Sequence, residues 1–336
     1  MFFNIRAVGG SASWKEYFLW RDTLEKGMAS GIPGADFKCK SLRGHAGKIV
    51  GLCYVGQRQV DVRPGELRSL VCSVSTDKTL HVWDAHEIGD CMGKLHVLSL
   101  PDLERKHSAT VFSDVRIDHL GLSSDKTLVS VASKEDLSGS PLMIYPTEQL
   151  LHPPEDPREA VKLPFPAASF LAACWLPLKP ARLAALLCDG VTERVNIWDL
   201  QLKKDKYSTN INVADVGNIT PMNSFPRGLL SCWGESVVFT ASMNTLQMWD
   251  VFGKALSTFT HHREAITDIH VDGVRVVTCA EDLSLHVYTW DEVQGGHVTL
   301  SSRYSLLGGS KTMSRAFTKV VCDYSSIVGV VEGLDG

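Results

Sequence analysis

The sequence predicts an all-β fold made of repeated antiparallel sheets, and three observations carry that prediction. The dipeptide Trp-Asp occurs four times, at residues 83–84, 198–199, 249–250 and 290–291. Each copy follows a short run of alternating apolar and polar residues, which is the pattern of a half-buried strand. Between residues 49 and 331 such runs are separated by Gly, Pro, Asn, Asp or Ser, which is typical of tight turns and not of long helices.

The third observation is an internal repeat. Residues 71–83 match residues 276–288 position for position, and an independent match upstream pairs His45 with His262. Each unit reads as strand, turn, strand, tight turn, strand, and a self-similar unit of this size predicts a repeat architecture. The aromatic residues that take the third-strand position are Trp83, Tyr145, Trp198, Trp249 and Tyr288.

These motifs resemble the WD-repeat β-propeller family, whose blade carries Gly-His near its start and Trp-Asp at its third strand. The resemblance covers residues 37–336 and implies four-stranded blades. We expect about six blades after a short N-terminal helix and linker in residues 1–36. The last blade is expected to be incomplete, because residues 320–336 supply two strands and residues 37–42 an outer one, but no third strand is evident.

Residues 13–27 are predicted to form the N-terminal helix. Ser13 and Glu16 make a capping box and Gly27 is a stop signal. The side chains of Trp14, Tyr17 and Phe18 fall near one face and predict a docking surface. The segment resembles the last helix of an F-box, which implies binding to a Skp-type adaptor. A helix that packs on the side of the propeller is the alternative.

An F-box needs two further helices upstream. Their absence, together with the missing third strand of the last blade, leads us to expect that the chain is part of a longer protein.

The resemblance also implies a buried hydrogen-bonded set of His, Ser or Thr, Asp and Trp inside a blade. In the first repeat it falls on His45, Ser73, Asp77 and Trp83. In the fifth it falls on His262, Thr278, Asp282 and Tyr288, while Trp198 and Trp249 take the aromatic position in the third and fourth. A Ser-His-Asp catalytic triad is the competing interpretation. We favour the structural one, because the set recurs in more than one repeat. Repeats two to four lack the Asp and are expected to rely on apolar packing.

Propellers of this family bind proteins at the end of the blades that carries the loops into each first strand. The alignment places Lys48, Arg263, Glu264 and Arg315 there. Three cations at one mouth would favour acidic or phosphorylated peptides. Alternatively, these residues are ordinary solvated surface charges that have no role in binding.

Composition and motifs exclude several other classes. With 34 Lys and Arg against 38 Asp and Glu, the chain lacks the basic excess of a dedicated nucleic-acid binder. Its longest apolar stretch, residues 165–178, is too short to span a bilayer. No P-loop, nucleophile elbow or dinucleotide motif occurs, so we expect neither an enzyme nor a cofactor.

The nine scattered cysteines predict reduced thiols in the core and an intracellular location, in the cytoplasm, the nucleus or both. His261 and His262 are adjacent but lack further ligands at a suitable spacing, so no metal site is expected there.

The predicted function is therefore a non-enzymatic module that binds other proteins. The resemblance implies a substrate receptor of an SCF-type (cullin-based) E3 ubiquitin ligase that recruits a target through the propeller. The alternative is a scaffold propeller in a multiprotein complex, for example in RNA or chromatin handling, without a ubiquitin role.

Overall fold

A computed structural model gives the fold of the chain. From residue 111 to residue 333 it describes all residues except 113–114, 137–138, 152–162, 191, 205–208, 221–227, 293–297, 309–313 and 323–326. Before residue 111 it describes residues 2–3, 22–23, 26–27, 39–40, 49–55, 70–75, 80–81, 88–89, 94–98 and 105–110.

The described residues form 26 strands in seven antiparallel sheets, so the predicted all-β fold is confirmed. Five sheets have four strands. One of them contains β9 (His119–Leu122), β10 (Leu128–Ala132), β11 (Leu142–Pro146) and β12 (Leu163–Phe165), and the next contains β13 (Ser169–Trp175), β14 (Arg182–Asp189), β15 (Thr192–Lys204) and β16 (Thr209–Ile219). A third contains β17 (Leu229–Trp233), β18 (Val237–Ser242), β19 (Thr245–Asp250) and β20 (Ala255–Phe259). A fourth contains β21 (Ile266–Val271), β22 (Arg275–Ala280), β23 (Ser284–Glu292) and β24 (Val298–Leu307).

The fifth four-stranded sheet joins the two ends of the sequence. Its order is β2 (Cys39–Lys40), β1 (Phe2–Phe3), β26 (Ile327–Gly333) and β25 (Ser314–Cys322). We expected the strand at residues 37–42, but we also expected this sheet to lack its third strand. That expectation was wrong, because Phe2–Phe3 pairs with both neighbours, Phe2 lying opposite Val328 and Lys40. The residues before 37 therefore contribute a strand as well as a helix.

Two further sheets have three strands each. One contains β3 (Ile49–Val55), β4 (Leu70–Ser75) and β5 (Leu80–His81), and the other β6 (Ile88–Gly89), β7 (Lys94–Leu98) and β8 (Arg105–Thr110). The sequence did not predict the second of these, and it raises the expected count of about six sheets to seven. It lies in the long step between the first and second repeats.

Helices are few among the described residues. Residues 22–23 and 26–27 are helical, inside the predicted helix, and Lys26 pairs with Asp22 over 2.6 Å. A five-residue helix, α1 (Thr147–Leu151), follows β11. No helix in the described part of the chain is long and apolar enough to cross a membrane.

The middle strands of the sheets form the core. In β10 and β22 every residue is buried, and in β14 the run Leu183–Leu187 is buried. These strands are mostly apolar because both of their faces pack against other residues, and their polar members are Ser130 in β10 and Arg275 and Thr278 in β22. The chain divides into two compact units, one of residues 1–85, 243–245 and 259–336 and the other of residues 86–242 and 246–258.

Candidate functional site

The sheet of β21–β24 contains a buried polar network that begins at His262. The Nε2 atom of His262 lies 2.7 Å from Thr278 Oγ1, and its Nδ1 atom lies 2.9 Å from Ser284 Oγ. The Ser284 hydroxyl donates to Asp282 Oδ1 over 2.5 Å. Because a serine hydroxyl carries one proton, Ser284 must accept from Nδ1–H, and Nε2 then accepts from Thr278.

Asp282 organises the tight turn between β22 and β23. Its carboxylate accepts from the backbone N–H groups of Arg263 and Ser284, each over 2.9 Å, in addition to the Ser284 hydroxyl. These bonds hold the pKa of Asp282 below its ordinary value despite partial burial. The structure thus brings together the four residues expected in this repeat and adds Ser284, which sequence reasoning missed. A Ser two residues after the turn Asp was the available signal.

Tyr288 takes the position of the family's Trp in this sheet. It is buried, its ring packs on Phe259 with centroids 5.1 Å apart, and its hydroxyl is hydrogen bonded to Thr278. Burial raises the pKa of Tyr288 to about 12, so the phenol stays protonated. The Tyr288 hydroxyl can therefore make the hydrogen bond to Thr278 that the indole N–H of a Trp would otherwise make.

This network has the residue types of a catalytic triad, but its hydroxyl groups are buried. Ser284 lies between His262 and Asp282, whereas a triad places His between the nucleophile and the acid. Thr278, on the other ring nitrogen of His262, is fully buried. Both ring nitrogens of His262 are already bonded, and Ser284 is 5% exposed, so no substrate reaches its hydroxyl. Burial lowers the pKa of His262 to about 4, which keeps the imidazole neutral. The arrangement stabilises the sheet, because it satisfies polar groups that are buried inside it.

The second repeat contains a polar network that the sequence did not predict. His119 Nε2 lies 2.9 Å from Ser130 Oγ, and the indole N–H of Trp175 in the next sheet donates to the same oxygen over 2.9 Å. Tyr145, expected in the Trp position here, lies directly opposite Val129 and so on the other face from Ser130. It packs against the apolar cluster that includes Val131.

The aromatic residues of the other two repeats behave differently from each other. In the fourth repeat the indole of Trp249 donates to the buried hydroxyl of Thr240 over 2.9 Å, so this sheet has a polar contact where we expected apolar packing alone. In the third, Trp198 packs on Phe165 with ring centroids 4.5 Å apart. The residue that corresponds to Thr278 there is Ala185, which offers no hydroxyl. Among the second to fifth repeats, whose aromatic residues are described, apolar packing replaces the network in the third.

Several predicted residues cannot be placed in these networks. His45, Asp77, Trp83, Lys48, Trp14, Tyr17 and Phe18 lie outside the described residues. Ser73 lies in β4, opposite His81 of β5.

Three residues of the predicted binding mouth are described, and all are exposed. Arg263 and Glu264 lie in the loop before β21, and Arg315 lies near the start of β25. The two strands lie side by side and run in the same direction, because Asp268 accepts from Val320 N over 2.9 Å and Asp272 contacts Cys322 further along. Arg263 and Glu264, in the loop before β21, therefore lie at the same end of the adjacent strands as Arg315.

Five cysteines have described side chains, and none of them forms a disulfide. They are Cys174, Cys188, Cys232, Cys279 and Cys322, of which the last three are buried. Burial raises the pKa of Cys232 and Cys279, which keeps these thiols protonated and unreactive.

Comparisons with known proteins agree with this architecture. No family model matches the chain. The human F-box/WD repeat-containing protein 12 is 28% identical over 253 residues, which is 72% of this chain and 52% of the relative. The chain therefore spans about half the length of this curated relative.

Two solved structures are similar in fold. The WD40 β-propeller domain of Doa1 has a TM-score of 0.55 at 12% identity, covering 88% of this chain and 92% of that domain. The computationally designed protein Ika8 has a TM-score of 0.54 at 16% identity, covering 87% and 83%.

The repeated antiparallel sheets, the blade network and these neighbours give the chain the fold of a WD-repeat β-propeller. Within that class, the chain is similar in sequence to the F-box/WD-repeat proteins.

Proposed function

We propose that this chain is the target-binding part of an SCF-type E3 ubiquitin ligase. The observation that carries the proposal is its sequence similarity to a human F-box/WD-repeat protein over 253 residues. In such a receptor the propeller holds a target protein and the F-box binds a Skp-type adaptor, so that the ligase modifies the target because the two are held close together. The chain itself performs no covalent step. The assembly acts in the cytoplasm, the nucleus or both.

The target-binding surface in this proposal is the end of the sheets that carries Arg263, Glu264 and Arg315. Two exposed guanidinium groups at the same end of adjacent strands suit a peptide that carries carboxylates or phosphates. Arg pairs with either group through two parallel hydrogen bonds. The sequence alignment adds Lys48, which lies outside the described residues, to the same set of charges.

The adaptor half of the proposal is tested by co-purifying the native full-length protein with the Skp adaptor and the cullin. Alanine substitutions at Trp14, Tyr17 and Phe18 are expected to abolish adaptor binding while leaving the thermal unfolding of the propeller unchanged. The matched control is the pair Arg263→Ala and Arg315→Ala, which should retain the adaptor. Absence of adaptor from the wild-type complex would contradict the ligase assignment and favour the scaffold function.

The recognition half is tested separately. Proteins whose abundance rises on depletion of this protein are candidate targets, and peptides from them are assayed with and without phosphorylation. We expect Arg263→Ala with Arg315→Ala to weaken the binding of a phosphorylated peptide by about tenfold or more, in line with the loss of charge-assisted hydrogen bonds. Equal affinity of the variant and the wild type would exclude this surface, whatever the adaptor result.

A further inference from the structure

Three potential metal ligands converge where the ends of two adjacent strands meet. His270 is near the end of β21, Asp272 follows that strand directly, and Cys322 ends β25. One ligand atom from each, an imidazole nitrogen, a carboxylate oxygen and the thiol sulfur, lies within 4.8 Å of the other two. None of them takes part in the blade network or in the proposed target-binding surface. The cluster therefore needs an explanation of its own.

The carboxylate of Asp272 is held in place by its own turn. Its Oδ1 atom accepts from the backbone N–H groups of Val274 and Arg275, each over 2.7 Å. Its Oδ2 atom is thereby directed to Cys322, whose Sγ lies 3.4 Å away. A tetrahedral zinc ion with bonds of about 2.0 Å to oxygen and 2.3 Å to sulfur sets these two atoms about 3.5 Å apart. The separation already fits a shared ion.

His270 is prepared in the way that metal-binding histidines usually are. One ring nitrogen is hydrogen bonded to the backbone of Cys322, which leaves the other nitrogen for a ligand. The hydrogen bond and the Cys322 thiol come from the same residue, so they fix the two ligands relative to each other.

We propose that His270, Asp272 and Cys322 bind a zinc ion, with a water molecule as the fourth ligand. A thiolate, an imidazole and a carboxylate together suit zinc, whereas magnesium and calcium require oxygen ligands. On binding, the Cys322 thiol releases its proton to the buffer and the thiolate coordinates the ion. The ion would join the ends of β21 and β25, which belong to different sheets, and so stabilise their contact.

The neighbouring charges limit the affinity. Arg275 is 1% exposed and donates from Nε to Asp272 Oδ2 over 3.2 Å, so a zinc ion would share that oxygen with a guanidinium. Asp268, four residues before Asp272, adds a negative charge that is paired with Lys319 over 3.5 Å. The fixed charges near the ligands therefore nearly cancel, and zinc is not drawn in by a strong local field.

The test uses the full chain, free of any purification tag and stripped of metal with a chelator. Cobalt(II) is added first, because a cobalt–thiolate bond gives a near-ultraviolet charge-transfer absorption and tetrahedral cobalt gives visible bands. Zinc should then displace one cobalt per chain. We expect Cys322→Ser to abolish the charge-transfer absorption, and the matched control Cys188→Ser, at a free thiol in the sheet of β13–β16, to retain it.

A second variant separates metal binding from folding. Asp272→Asn keeps the Oδ1 acceptor for the two backbone N–H groups but replaces Oδ2 with an amide NH₂, which does not coordinate zinc. The amide also removes the acceptor of the Arg275 Nε–H, so the variant is expected to be less stable, and its zinc affinity is measured well below its thermal transition. It should bind zinc about 100-fold or more weakly, since even residues around the ligands contribute about 10- to 100-fold. Zinc should raise the thermal midpoint of the wild type and not of this variant. Cobalt absorption that persists in Cys322→Ser, or Asp272→Asn that binds zinc like the wild type, would overturn the site. Neither result depends on adaptor or target binding.

Discussion

The indole N–H of Trp175 donates to the Ser130 hydroxyl of the neighbouring sheet over 2.9 Å. The same oxygen lies 2.9 Å from His119 Nε2, and its own proton is directed to the Gly121 carbonyl, 3.3 Å away. Ser130 is fully buried, so these bonds satisfy a hydroxyl that water does not reach. This contact therefore joins two adjacent sheets through buried hydrogen bonds, whereas the His262 network makes such bonds within one sheet.

Replacing Trp175 by Phe removes the indole donor and keeps most of the apolar ring. We expect a loss of about 1 kcal/mol in the free energy of unfolding, the usual contribution of one buried hydrogen bond. The measurement is urea unfolding followed by circular dichroism. Trp198→Phe is the matched control, because the described contact of Trp198 is ring packing on Phe165, and it should cost less. Equal losses in the two variants would argue against a specific role for the Ser130 bond.

The sequence predicted the network of the fifth repeat because all its members lie within 27 residues and align with the first repeat. It did not predict the Trp175 contact, since that bond joins residues 45 positions apart in different repeats and has no counterpart in the alignment. The sequence did not predict the strand Phe2–Phe3 for a different reason. Two residues are too few to show a period, and only pairing with β26 and β2 defines them as a strand.

Tyr145 shows why the alignment assigned a wrong role in the second repeat. In the fifth repeat Tyr288 lies opposite Val276, two positions from Thr278, so the phenol and the hydroxyl share a face. In the second repeat Tyr145 lies opposite Val129, one position from Ser130, and the two point to opposite faces. A shift of one residue in strand pairing is invisible in a loose repeat but reverses the face of every side chain.

Stability is expected to fall as the pH decreases from about 6.5 to about 4. Burial lowers the pKa of both His262 and His119 to about 4, whereas the unfolded chain binds protons on them below about 6.5. Because the unfolded state binds more protons in this window, the free energy of unfolding rises with pH. Each histidine contributes up to about 3 kcal/mol, fully present above the unfolded pKa and absent below the folded one.

Urea titrations across that window measure the effect. His262→Gln removes one of the described histidines whose pKa burial lowers, which are His119, His262, His270 and His286. The slope of stability against pH should therefore become shallower, even though the variant is less stable at every pH. A slope that stays the same in His262→Gln and in His119→Gln would show that neither histidine is held neutral. Losses below about pH 4 have a separate origin in carboxylates such as Asp199, whose pKa is lowered by its hydrogen bonds with Arg182.

Arg182 connects two neighbouring sheets through a geometry that lysine cannot reproduce. It donates to Asp199 through Nε over 2.6 Å and Nη2 over 2.8 Å, and through Nη1 to the Glu235 carbonyl over 2.9 Å. Arg182→Lys keeps the charge but loses the parallel pair, and should cost about 1–2 kcal/mol of unfolding free energy. Arg116→Lys is the control, because Arg116 is 52% exposed beside Asp118 and such pairs contribute little. Similar effects at both positions would contradict this distinction.

Gly253 is the position at which we expect a single methyl group to be most disruptive. Its φ of +90° is unfavourable for any residue with a Cβ, and an added Cβ would overlap the backbone carbonyl oxygen of Asn218, which cannot move away as a side chain could. We predict that Gly253→Ala lowers the free energy of unfolding by about 2–3 kcal/mol, from strain and steric overlap together. Gly234 is the matched control, since its φ is +62° but nothing lies within 4 Å of an added Cβ. Gly234→Ala should therefore cost about 1 kcal/mol from backbone strain alone. If chemical unfolding gives the same loss for both variants, the close approach between Gly253 and Asn218 contributes nothing to stability.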